Sequence, residues 1–305
     1  MGKEVVSPLV SIICNTYNHV NYIRQCLDGF LMQETNFPIE ILVHDDASTD
    51  GTADIVREYE DKYPDLIKPI YQTENQYSKG VKVSLKYQYA RAKGKYIALC
   101  EGDDYWTDPL KLQKQVEFLE NNTEYIICSH KYQYYYENNR RFGLVAPTVF
   151  SGGTFDLEYF ILNVDWVVQP LSLLFRQSEV DWNEYARYKH SKDSTLAYFL
   201  LKKGKGYLLE DVMGVYRLHS GGVWSSVSRV EQLTSGITSF LGVCKCEKDI
   251  TSARCLYNYI CSRRCLGKRF LLKRWPLLID SLFIILRYLG IRSMINCLIS
   301  TITIR

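Results

Sequence analysis

Residues 94–115 read GKYIALCEGDDYWTDPLKLQKQ, and that run decides the fold. Tyr96 to Cys100 is short and apolar and follows Gly94, the pattern of a strand buried on both faces. It delivers a polar turn, Glu101-Gly102-Asp103-Asp104. Asp108 and Pro109 then offer an N-cap and a first-turn proline to a helix with Leu112, Val116 and Leu119 on one face.

The same order recurs upstream. Leu9 to Cys14 runs into Asn15-Thr16-Tyr17-Asn18 and a helical pattern of Val20, Ile23, Leu27, Phe30 and Leu31. Ile39 to Val43 closes in His44-Asp45-Asp46-Ala47-Ser48-Thr49-Asp50-Gly51, before a charged helix from Thr52 to Tyr63 that Pro64 stops. Lys68 to Gln72 is predicted as the third strand and Val81 to Lys93 as the third helix, ended by Gly94. Alternation of this kind predicts an α/β protein with a parallel, doubly wound sheet, whose ligands bind outside the carboxyl ends of the strands. Three of the four strands end in polar or acidic clusters on that edge, so the active site is expected there.

The rest of the chain is less regular. Tyr132, Tyr134, Tyr135 and Tyr136 mark an aromatic strand, Ser151-Gly152-Gly153 a turn, and Ser194 to Lys203 a helix ended by Gly204. The 305 residues suit one large domain with an appendage, or two modest ones. A net charge of +3 gives no reason to expect nucleic acid, but its distribution is uneven. Residues 263–305 carry nine Lys and Arg against Asp280 alone. The ten cysteines include no paired CxxC and no histidine placed for tetrahedral zinc, so reduced thiols acting as small hydrophobes are expected. Met1 to Pro8 is polar and short, unlike a signal peptide.

Adjacent carboxylates at a strand end repel each other unless a cation or donors neutralise them. Asp103 and Asp104 therefore suit a hard divalent ion bridged to a diphosphate, or they simply open a loop. Gly102 leaves the backbone room to approach a ligand. Asp46 can accept a hydrogen bond from the ring N–H of a uracil, or act as a cap; Ser48 and Asp50 are turn residues. The loop from Asn15 to His19 can offer amides and the Tyr17 ring to a base, while Asn18 can equally cap the next helix. No glycine-rich dinucleotide fingerprint or P-loop is present, which disfavours an oxidoreductase.

Taken in order, PLVSIICNTYNH (8–19), EILVHDDASTDGT (40–52) and GKYIALCEGDDYWTDPLKLQKQ resemble the family-2 glycosyltransferases over about residues 8–222. The resemblance implies a GT-A fold (a Rossmann-like, mostly parallel sheet flanked by helices), with a nucleotide-sugar donor, UDP-linked, and Mn2+ or Mg2+. It puts Asn15, Tyr17 and Asn18 at the nucleotide, Asp46 at the base, Asp103 near the ribose and diphosphate, and Asp104 on the metal. The family's catalytic base precedes a helix in the second half. Asp193, in HSKDSTL (190–196), is the best match although its spacing departs from the family pattern, and Asp181 and Glu184 are the alternatives. Asp193 also reads as an N-cap, where the helix terminus lowers a carboxylate pKa. His219, in VYRLHSGGVW (215–224), resembles the late loop that reaches the metal or diphosphate, or is structural.

The expected reaction is inverting transfer to a glycan hydroxyl, with a lipid-linked saccharide of a bacterial surface polysaccharide as acceptor. A sugar-nucleotide pyrophosphorylase shares the sheet and the metal, but needs a glycine-rich basic loop after the first strand. A catalytically inactive nucleotide-sugar scaffold is the other alternative. Domains are expected at 1–222 and 223–305. Within the tail, Lys273, Asp280 and Arg287 recur every seven residues, while Pro276 and Gly290 interrupt the run short of a clean span of about 20 apolar residues. A basic helix in peripheral contact with the membrane through 270–305, on the cytoplasmic side, fits this pattern. A helix packed on the protein's own core, or a dimer contact, fits it as well.

Overall fold

The structure is a computed structural model and describes residues 7–148, 150–163, 168–222, 226–262 and 267–302. Expectations that involve Val223, Trp224, Arg263, Arg264, Cys265 and Arg305 lie outside the described residues, as do the side chains of Lys268, Arg269 and Lys273. The strands are β1 Val10–Thr16, β2 Ile39–Asp45, β3 Ile67–Tyr71, β4 Tyr96–Leu99, β5 Tyr105–Trp106, β6 Tyr125–Tyr136, β7 Arg141–Ala146, β8 Gly153–Phe155, β9 Leu174–Arg176 and β10 Lys205–Leu218. The helices are α1 Ile23–Leu31, α2 Thr52–Lys62, α3 Lys111–Asn121, α4 Leu157–Asn163, α5 Trp182–Ala186, α6 Asp193–Leu201, α7 Arg229–Glu247, α8 Ile250–Ser262 and α9 Gly267–Ile302.

Two compact units divide the chain. The first comprises Met1–Phe155, Val167–Trp182 and Lys203–His219; the second comprises Asp156–Trp166, Asn183–Lys202 and Ser220–Arg305. The first unit holds the mixed sheet in the order β3-β2-β1-β4-β9-β6-β10-β5, with β7 on β6 and β8 on β10. β3, β2, β1 and β4 run parallel, as do β6 and β10, whereas β9 joins the two sets antiparallel. The predicted parallel sheet is thus present, with antiparallel pairs added. Val10, Ile12, Ile41, Val43, Tyr96 and Ala98 are wholly buried, which is why these strands read as continuous apolar runs. Gly94 is required by close approach: a Cβ there would meet the Ser11 nitrogen at 2.5 Å.

Two helix expectations need correction. Val81 to Lys93 is not a regular helix; it folds as a wide turn over Ser84–Gln88 and a tight one over Tyr89–Arg91. Tertiary hydrogen bonds override the helical pattern. The Gln88 amide donates to the Cys14 and Leu42 carbonyls, and the Arg91 guanidinium donates to those of Val43 and Lys68. Helix α3 starts at Lys111, not beside Asp108. The Asp108 carboxylate instead accepts the Leu110 amide and the Lys114 ammonium, both at 2.8 Å.

In the second unit, α9 packs on α7 and α8. Leu278, Ser281, Ile285 and Cys297 are buried, while Trp275, Phe283, Ile291, Ile295 and Ile299 stay exposed. By length and composition Arg274–Ser300 is apolar enough to cross a membrane, and the interruption expected at Gly290 falls within it. Its backbone leaves helical geometry at Arg274 and Gly290. The first break places Pro276 in a restarted first turn, where its missing N–H leaves no bond unmade. It also separates Lys273 from Asp280 and Arg287. Asp280 is tied to Lys245 of α7 at 2.9 Å. Nine cysteines among the described residues are free thiols.

One buried cation sets a pH dependence. Lys111 is wholly buried, its ammonium 3.9 Å from the Trp106 ring centroid and 2.7 Å from Gln115 Oε1, with the buried thiols Cys100 and Cys128 nearby. Burial lowers its pKa to about 7 from 10.5. Between those values the unfolded chain binds a proton that the folded chain does not, so stability rises with pH across that window. Below about pH 7 both states are protonated and the full penalty remains. Urea unfolding between pH 7.5 and 8.5 should therefore show a slope that Lys111→Met reduces by about 1 kcal/mol per pH unit. Parallel pH profiles for the two proteins would contradict a neutral Lys111 in the fold.

Candidate active site

The carboxyl ends of β2, β1 and β4 lie side by side, and their loops remain zipped beyond the strands. Cys100 and Gly102 donate to the carbonyls of Ile13 and Asn15, at 3.1 and 2.9 Å, and Asp46 donates to that of Thr16 at 2.9 Å. Gly102 is needed because a Cβ there would meet Thr16 Oγ1 at 2.7 Å and His19 Nδ1 at 3.1 Å. The room it leaves is filled by the first loop. Asn18 adopts φ +55°, donates from its amide to Ser48 Oγ and accepts the Thr49 amide at 2.8 Å. It does not cap α1, which begins at Ile23. Asp50 accepts the Val20 and Thr52 amides, each at 3.0 Å, so the turn after β2 and the loop after β1 form one lattice.

The two acids that follow β4 have different surroundings. Asp103 Oδ2 lies 3.0 Å from His219 Nε2 and 3.8 Å from His19 Nε2, and keeps some exposure. Burial opposes its ionisation, but the His219 hydrogen bond and the two imidazoles hold its pKa below the ordinary carboxylate value. Asp104 is buried and accepts the Arg217 amide at 2.8 Å. Burial, then the charge of Asp103, raises its pKa well above the usual range. Tyr22 packs its ring 4.5 Å from that of His219.

Several buried polar atoms in this same place have no hydrogen-bond partner: Asn15 Oδ1, Thr16 Oγ1, His19 Nδ1 and Asp45 Oδ1. The neighbouring Asp46 differs, because its two oxygens accept the amides of Gln76 and Tyr77 at 2.8 and 2.9 Å. Asn15 Nδ2 donates to Ser84 Oγ at 2.9 Å, and Tyr17 remains exposed at the rim.

A family model described as glycosyl transferase family 2 matches residues 11–209. The chain belongs to that family. An uncharacterised protein of Mycobacterium tuberculosis is 36% identical over 228 residues, which are 71% of this chain and 61% of that protein. The chain thus spans about three-fifths of the length of that relative. The UDP-Glc:alpha-D-GlcNAc-diphosphoundecaprenol beta-1,3-glucosyltransferase WfaP of Escherichia coli is 31% identical over 238 residues, covering 77% of this chain and 87% of WfaP. The structure of S. aureus TarS 1–349 in complex with UDP-GlcNAc matches with a TM-score of 0.68 at 20% identity, over 96% of this chain and 89% of TarS. Family and GT-A fold agree with the resemblance read from the three motifs.

Among the described residues no group of three or more His, Cys, Asp or Glu is arranged to hold a metal. The arrangement fits a different kind of site. Magnesium-like ions bind through one or two carboxylates plus substrate phosphates and retain several waters. Asp103, beside His219, keeps some exposure, and the buried Asp104 accepts the Arg217 amide through Oδ1.

Asp193 belongs to the second unit. It is the first residue of α6, with Lys192 as the N-cap, so the capping role expected of it falls one residue earlier. Asp193 is exposed at the start of the helix. Asp181 is exposed and Glu184 is half-buried. Sequence reasoning passed over Asp45, His19 as an individual side chain, and Arg217. The first was overshadowed by its neighbour Asp46, and the second became visible only once Gly102 was seen to make room for it.

Proposed function

We propose that this chain transfers a sugar from a UDP-linked donor to a hydroxyl of a glycan acceptor, with inversion, in polysaccharide biosynthesis. The convergence of the partly exposed Asp103 with His219 and His19 carries the proposal, since it lies where strands of such a sheet present their ligand. The relative WfaP, a glucosyltransferase named for UDP-Glc and a diphosphoundecaprenol-linked GlcNAc, supports a UDP donor and a lipid-linked saccharide here. The loop after β1 lacks the glycines of a pyrophosphorylase, and donor turnover separates an enzyme from an inactive scaffold.

In this reading Asn15, Tyr17 and Asn18 border the nucleotide, and the Asp45–Asp46 pair accepts the uracil ring N–H. Asp45 accepts the Ser48 amide through Oδ2 and has Oδ1 left over, whereas both oxygens of Asp46 hold the Gln76–Tyr77 turn. Asp103 and His219 would hold Mn2+ or Mg2+, with Asp104 bracing the loop rather than ligating. When bound, that ion supplies Lewis-acid stabilisation of the departing diphosphate. Asp193 takes the proton of the acceptor hydroxyl.

Calorimetry with UDP should show an affinity gain from Mn2+ that Asp103→Asn abolishes. Asp45→Asn should weaken UDP binding by about 1.5–3 kcal/mol, the worth of a hydrogen bond to a charged group, and leave binding of a base-free sugar phosphate nearly unchanged. A Mn2+ gain that survives Asp103→Asn and disappears in a folded Asp104→Asn would return the ion to Asp104.

A screen of UDP-sugars for donor turnover should find activity that Asp193→Asn lowers by roughly 10²–10⁴-fold, with UDP affinity retained. Turnover should fall as pH drops and Asp193 takes up a proton. Near-normal turnover in Asp193→Asn, with loss in Asp181→Asn or Glu184→Gln, would move the base to that position.

The exposed apolar face of α9, bordered by the exposed Arg274, Arg287 and Arg292, suits an anionic bilayer surface at the inner face of the cell membrane. Full-length protein should sediment with phosphatidylglycerol vesicles at low salt, and the Trp275→Ser/Phe283→Ser variant should remain in the supernatant. Wild-type protein left in the supernatant would exclude this contact.

A further inference from the structure

Arg217 is the penultimate residue of β10 and is buried. Its backbone N–H donates to Asp104 Oδ1 at 2.8 Å, and its Nε donates to the Asp103 carbonyl at 2.8 Å. Its two terminal nitrogens donate to Glu137 Oε2 at 3.0 Å and to Gln25 Oε1 at 2.7 Å. The guanidinium carbon stands 4.8, 5.0 and 5.8 Å from the ring centroids of Tyr22, Tyr105 and Tyr135. One residue thus grips both members of the acid pair, and is itself held by α1, by the end of β6 and by three rings.

This geometry limits what the acid pair can do. The Asp103 carbonyl and the Asp104 carboxylate are both fixed, so the peptide joining them cannot rotate. The direction in which the Asp103 side chain leaves the backbone, toward His219 and His19, is fixed with it. Only a planar fork donates in three set directions while its faces lie against rings; an ammonium on a flexible stem does not. Three of the five guanidinium N–H groups, one on each nitrogen, are spent on Asp103, Glu137 and Gln25, so the fork is anchored beside the acids. We infer that Arg217 is a positioning residue for the transfer reaction: it sets where the Asp103 carboxylate meets the donor diphosphate and its cation. This rests on the function proposed above.

The test uses the full chain, UDP and Mn2+. Arg217→Lys keeps the charge and loses the fork. UDP affinity at saturating Mn2+ should fall about 10–100-fold, the usual effect of removing a group that orients a metal-binding residue, while metal-free UDP affinity stays close to wild type. In an Asp103→Asn background the same substitution should add little, because its effect passes through Asp103. Arg176→Lys is the matched control. Arg176 is also a buried arginine that bonds main-chain carbonyls, those of Tyr125 and Leu119, so its loss should lower Tm without altering UDP affinity with Mn2+.

If Arg217→Lys does not fold, Glu137→Gln decides the matter, since it loosens the guanidinium from one side and leaves both acids in place. A smaller loss in the same Mn2+-linked affinity supports the inference, and an unchanged value overturns it. A folded Arg217→Lys with wild-type affinity at saturating Mn2+ overturns it too, while the wild-type Mn2+ gain leaves the proposed function standing. Wild-type protein that binds no UDP with or without Mn2+ overturns the proposed function and the inference together.

Discussion

Polar groups taken out of water must find partners, and the two ends of the parallel strands meet that demand in different ways. At the amino end of β1 and β2 the buried Glu40 accepts from Ser11 Oγ, the Lys93 amide and the Lys68 ammonium, while Ser11 Oγ also accepts the Gly94 amide. Burial alone would favour the neutral acid, but these donors bring the Glu40 pKa below its ordinary value. At the carboxyl end Asn15, Thr16, His19 and Asp45 each keep a buried atom with no partner. Leaving a buried polar atom unpaired costs about 1–3 kcal/mol. The proposed function assigns the ligand to the second end, outside the carboxyl ends of the parallel strands.

Much of this was legible in the sequence because apolar strand cores and polar strand ends alternate over short distances. Val10 to Cys14, Ile39 to Val43 and Tyr96 to Leu99 are strands buried on both faces, and their polar followers do meet at one edge. Local pattern misleads where long-range hydrogen bonds intervene. Gln88 and Arg91 satisfy carbonyls of β1, β2 and β3, and that task breaks the helix that residues 81–93 otherwise suggest. The short β5 and β9 carry too few residues for a periodic signal, although β9 joins β4 to β6.

The site was legible at the level of clusters and less so at the level of atoms. Adjacent acids cannot be told apart by type, and their roles follow from what each one touches. Asp104 differs from Asp103 because an amide 113 positions away in the chain reaches it, and Asp46 differs from Asp45 because the Gln76–Tyr77 turn folds back onto it. Asp193 shows the same limit. Its place at a helix start suggested a cap, whereas Lys192 takes that position. In α9 composition revealed an apolar, basic helix, but only the fold separates the face buried on α7 and α8 from the exposed face.

Diffraction from crystals grown with UDP and Mn2+, recorded near the manganese absorption edge, tests the central claim most directly. The account predicts one anomalous peak within coordination distance of Asp103 and His219, with the diphosphate on its far side and the uracil ring N–H on Asp45. A peak coordinated by Asp104 with Asp103 turned away, or a nucleotide bound elsewhere while Asn15, Thr16, His19 and Asp45 stay unpartnered, would contradict it.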